Sequence, residues 1–89
     1  MARTQTPLCP RPMPRRREFS SINEAISYLE RRYGRYLPNP NPFKGYAILV
    51  FDKKSPSSTM WYCEYIFMVE ERGGKWVITD ARVKPVPPA

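Results

Sequence analysis

Between Ser21 and Gly34 the apolar residues Ile22, Ala25, Ile26, Leu29 and Tyr33 recur at spacings of three and four, which places them on one stripe of a helix. Ser21 with Glu24 three residues later has the form of a capping box. Gly34 supplies a residue that tolerates the left-handed region, and Arg31, Arg32 and Arg35 complement the negative end of the helix dipole. The spacing predicts a helix over residues 21–33. The segment 37–42 then alternates with proline, and each residue before a proline is pushed out of the helical region, so an extended connector is expected there.

Three strand patterns follow. Residues 46–51 are a short apolar run closed by the turn-rich 52–58; residues 60–70 are long and aromatic; residues 75–83 partly alternate. The loops are short enough for antiparallel neighbours. The expected fold class is therefore α+β: one N-terminal helix packed on a three-stranded antiparallel meander, in the order α-β-β-β. Pro85, Pro87 and Pro88 are expected to end the last strand.

The turn at Gly73 and Gly74 admits two registers. A two-residue loop sets Phe67 against Asp80 and Tyr65 against Arg82, which mixes charge with aromatics. A three-residue loop Arg72-Gly73-Gly74 pairs Val69 with Val77, Phe67 with Thr79, Tyr65 with Ala81 and Cys63 with Val83, giving an apolar or small face suited to lie under the helix. The second register is the one expected. It sends Tyr62, Ile66, Met68, Trp76 and Ile78 to the opposite face, with Glu64, Glu70, Asp80 and Arg82 around them. One helix cannot cover both faces, so these five apolar residues are the candidate partner-binding surface.

Charge is unevenly placed. Of fifteen Lys and Arg and eight Asp and Glu in the 89 residues, five arginines and one acid lie in residues 1–18, alongside four prolines. That composition predicts a disordered basic arm over 1–18, a single domain over 19–84 and a Pro-rich tail over 85–89. Arg11, Arg15, Arg16 and Arg17, with Arg31, Arg32 and Arg35, are the candidate contacts for a nucleic-acid backbone. The arginines also fit an organelle-targeting segment, although the prolines oppose the amphipathic helix such a signal needs.

The chain has no histidine, which removes imidazole bases and the usual nucleophile and zinc arrangements, and no cofactor or metal is expected. Glu70 and Glu71 are adjacent on a strand and point to opposite faces, so they do not form an acid–base pair. Gly73-Gly74 leads into a strand, not a helix N-terminus, and is a turn instead of a phosphate loop. An enzyme is not expected. Two cysteines are few for a secreted scaffold and suggest a reducing, cytoplasmic compartment, with Cys63 a core thiol and Cys9 a surface thiol. No run approaches the length of a membrane span. The hairpin over 67–83, with its Gly-Gly turn and aromatic strands, is similar to the closing hairpin of cystatin-like and nuclear-transport-factor-like folds, and the likeness carries no function. The resulting expectation is a small non-enzymatic protein-binding module, in self-association or with a foreign partner, with nucleic-acid binding as the alternative.

Overall fold

The computed structural model describes residues 9–38, 45–53 and 61–87. The element order is β1 (Glu18–Phe19), α1 (Ile22–Tyr33), β2 (Arg35–Leu37), β3 (Tyr46–Lys53), β4 (Tyr62–Arg72) and β5 (Lys75–Val86). The helix lies where the sequence pattern predicts it. Ser21 is the N-cap, its hydroxyl accepting from the Glu24 N–H at 3.2 Å. The Glu24 carboxylate reaches back to the N–H of Ser20, one residue earlier than the usual reciprocal bond. At the other end the Gly34 N–H donates to the Glu30 carbonyl, and the Glu30 carboxylate accepts from the N–H of Tyr36. Glu30 thus ends the helix and starts β2.

The sheet corrects the expected three-stranded meander. It has five antiparallel strands in the order β1-β5-β4-β3-β2 and curls into a half-barrel. The two additional strands are two and three residues long and sit at the edges. Segments so short carry no alternation to read; neighbours, not local pattern, create them. Phe19 pairs with Trp76 and is almost wholly buried. Leu37 pairs with Val50, so β2 begins one residue after the helix cap, where an extended connector was expected to start at residue 37. Residues 39–42 of that connector and most of the turn expected over 52–58 lie outside the described residues.

The β4–β5 register corrects the expected three-residue loop: it follows the two-residue register from Arg72 to Val69 and neither of the two considered beyond it. Gly73 and Gly74 form a two-residue loop, both at positive φ, as the tight turns that match strand twist require. Arg72 faces Lys75 and Val69 faces Ile78. Between Met68 and Val69 the register shifts, so Met68 faces Asp80, Phe67 faces Ala81 and Tyr65 faces Val83. The bulge keeps the tight turn and still removes charge from opposite the aromatics. Pro85 does not end β5, which continues to Val86; Pro85 stands opposite Cys63, beyond the two residues at which β1 pairs with the other edge.

The core between helix and sheet comprises Phe19, Ala25, Leu29, Leu49, Phe51, Tyr65, Phe67, Val69 and Ile78. Tyr33 lies between Tyr65 and Phe67, with ring centroids 4.8 and 4.9 Å away. The expected disordered arm is corrected over its described part. Residues 9–17 lack regular secondary structure yet are packed: Pro12 and Pro14 are buried, and Cys9 is bonded to Cys63. The N–H of Arg16 donates to the Tyr28 hydroxyl at 3.1 Å, the backbone N–H of Met13 reaches the Tyr33 hydroxyl, and the Arg17 carbonyl accepts from Ile78 at 2.9 Å. A covalent tie and backbone hydrogen bonds supply what the segment's apolar content does not. The disulfide overturns both thiol assignments and does not fit the reducing compartment expected from the cysteine count. Among the described residues no helix is long and apolar enough to cross a membrane.

Candidate interaction surfaces

Alternation along β3 and β4 divides the sheet cleanly. Ala47, Leu49 and Phe51 with Tyr65, Phe67 and Val69 face the helix. Tyr46, Ile48 and Val50 with Tyr62, Ile66 and Met68 face away from it. Ile48 stands opposite Met68 and Val50 opposite Ile66, so their side chains form one apolar block on the open face. Met68 is 40% exposed, and Ile48, Val50, Tyr62 and Ile66 are half-buried. Ile48, Ile66 and Met68 line a shallow depression closed on one side by Asp80 and Arg82.

Three of the five residues expected on this face are on it: Tyr62, Ile66 and Met68. Trp76 and Ile78 are not. Ile78 is only 5% exposed in the core, and Trp76 packs against that core beside Phe19. The cause is the two-residue turn, whose register runs unbroken from Arg72–Lys75 to Val69–Ile78 and so puts Ile78 opposite Val69 and not opposite Met68. Ile48 and Val50 take their place and were missed. Their signal was present in residues 46–51, apolar at every position, a pattern that belongs to a strand with apolar groups on both faces.

Charges on the open face are matched locally. Arg82 pairs with Asp80 at 2.9 Å, Arg72 with Glu70 at 2.9 Å and Lys84 with Glu64 at 3.6 Å. Asp52, on the same face, lies opposite Glu64 but is buried, with Arg35 3.8 Å away. In the described residues from 45 onward, five Lys and Arg balance five Asp and Glu; in 9–38, seven arginines stand against three glutamates. The excess positive charge of the described protein is therefore confined to the arm, helix and β2.

There the two groups of candidate arginines meet around Tyr28. Arg16 pairs with Glu24 and stacks over Phe19 at 5.0 Å; Phe19 lies 5.3 Å from Tyr28; and Arg32 stacks over Tyr28 at 4.8 Å. Arg16, Arg31 and Arg32 line a groove with Glu24, Ser27 and Tyr28. Arg11 and Arg17 line a separate groove along the arm and β5, and Arg35 is held at Asp52, apart from both. Arg15 is exposed on the arm. No protein family, curated protein or solved structure matches the chain.

Proposed function

We propose that this chain is a non-enzymatic binding protein whose working surface is the open face of its sheet, and that the occupant of that face is a second copy of the chain. The observation that carries the reading is the block formed by Ile48, Val50, Ile66 and Met68, apolar and incompletely buried within a rim whose charges already neutralise one another. Apolar patches of several hundred Å² on small proteins commonly mark interfaces. Charge selects the partner. A chain of formal charge +7 repels its own copies, and the strands β3–β5 are the part of the described protein where positive and negative groups balance. A two-fold contact across this face brings the Asp80–Arg82 pair of each copy against the other's surface without a net charge to overcome.

Sedimentation equilibrium of the intact protein over a wide concentration range tests this. A dimer is expected, and Met68→Asp with Ile66→Lys is expected to give a monomer with unchanged far-UV circular dichroism. A monomer at every concentration rejects self-association, and a dimer that the double variant leaves intact rejects the face.

A further inference from the structure

We infer that the surface formed by the arm and α1 binds the phosphodiester backbone of a nucleic acid, independently of the sheet face. The first support is the distribution of charge: residues 9–38 hold seven arginines and three glutamates, and they hold all of the described protein's excess. Among the described residues Arg11, Arg15, Arg17, Arg31 and Arg32 form no ion pair.

The second support is order. The Arg16 and Arg32 guanidinium groups rest on Phe19 and Tyr28, two rings that touch each other, and the Tyr28 hydroxyl also accepts from the Arg16 backbone. Two arginines sixteen positions apart are thereby set on either side of one aromatic pair. A guanidinium already held on a ring loses less freedom on meeting a phosphate than a free side chain does, and its planar fork matches two phosphate oxygens. Glu24 pairs with Arg16, leaving Arg31 and Arg32 as the unneutralised members of the groove.

The third support is what the surface lacks. The exposed positions of α1 are Asn23, Ser27, Glu30, Arg31 and Arg32, none of them apolar, and on the described arm Met13 is the single exposed large apolar side chain, too little to seat the surface in a lipid layer. Arginines spread over arm and helix suit a ligand carrying many phosphates in a row better than a single phosphorylated side chain. Bringing the arm onto the helix joins Arg16 to Arg31 and Arg32 in one groove, with Arg11 and Arg17 in a second groove further along the arm, where the sequence presents only a tail and a helix end.

The test uses the intact, disulfide-bonded chain with a fluorescein-labelled single-stranded RNA oligonucleotide of mixed sequence, its DNA duplex counterpart, and vesicles of anionic phospholipid. Five cations engaging a single strand predict a slope of log affinity against log salt of about −3.5, or roughly a hundredfold loss between about 50 and 200 mM salt. Arg31→Gln with Arg32→Gln is expected to reduce that slope by about 1.4. Because Arg32 packs on Tyr28, Arg31→Gln alone, with a thermal-melting control, gives a reduction of about 0.7 without that contact at stake. Lys53→Gln with Arg72→Gln removes equal charge from exposed strand ends of the sheet and is expected to leave the slope unchanged. Absence of binding at low salt, equal losses from the sheet and helix variants, or binding to vesicles without binding to either oligonucleotide would each overturn the inference.

Discussion

Thr79 donates its hydroxyl to the carbonyl oxygen of Met68 at 3.3 Å, at the point where β5 carries one residue more than β4 opposite it. That bond holds the bulge together. On one side of it Ile78 drops into the core against Val69; on the other Asp80 emerges on the open face beside Met68. Ile78 and Met68 would have been cross-strand neighbours in a continuous three-residue-loop register, and the two-residue turn puts them on opposite sides of the sheet. Their truncations should differ accordingly. Ile78→Ala is expected to cost about 2–4 kcal/mol of stability and Met68→Ala less than about 1 kcal/mol, read from urea midpoints. Equal costs would mean that the two side chains share an environment.

The Cys9–Cys63 bond closes a loop across a sequence separation of 54 with its Cα atoms 5.8 Å apart. Restricting an unfolded chain by a loop of that length is worth about 4 kcal/mol in the chain-entropy account. Cys9→Ser with Cys63→Ser should therefore lower the stability by several kcal/mol, and in hydrogen exchange the Ile78 amide, which donates to Arg17 beside the arm, should lose protection. Unchanged stability and protection in the serine variant would show that the arm packs without the bond.

Gly34 joins α1 to β2 at φ +119°, and a methyl group added there would overlap the carbonyl oxygen of Asp52 on the adjoining strand. Strain in the backbone and a clash with another backbone act together, and neither can be relieved by a side-chain rotation. Gly34→Ala is expected to cost more than about 2 kcal/mol, whereas Gly45→Ala, also at positive φ but with open space around it, should cost less. Denaturant melts of the two variants make the comparison directly.

The protein should lose stability in alkali. Burial raises the Tyr33 hydroxyl above its ordinary value of 10.0, opposed in part by the Met13 N–H and the charge of Arg32, and burial alone raises Tyr65. The hydrogen bond and charge of Glu18 raise Lys75 above 10.5. All three groups hold their protons more tightly folded than unfolded, so their contributions are complete below about pH 10 and disappear as pH climbs through the folded values. Urea midpoints are expected to hold up to about pH 10 and to fall as pH rises above it, and Tyr33→Phe with Tyr65→Phe should flatten most of that fall, since exposed Lys75 is screened by solvent. An equally steep fall in the double variant would assign alkaline sensitivity elsewhere.

Sequence alone determined the helix, because the Ile22-Ala25-Ile26-Leu29-Tyr33 stripe, the Ser21 cap and Gly34 all act within a few residues of one another. It also determined three of the strands and the faces of β4, since alternation of Cys63, Tyr65, Phe67 and Val69 needs no knowledge of partners. Tertiary structure decided the rest, for reasons that are non-local. Phe19 is a strand residue only because Trp76 lies opposite it, and Leu37 because Val50 does. The tight Gly73-Gly74 turn moved Trp76 and Ile78 away from the open face, and the bulge at Thr79 reconciles that turn with an uncharged aromatic core by shifting Asp80 and Arg82 onto the open face. The arm was composed like a disordered tail, and a bond between two cysteines 54 positions apart, with tyrosine hydroxyls waiting on the helix, fixed its described part in place. Composition measures what a segment can bury by itself; only the folded chain determines what it is buried against.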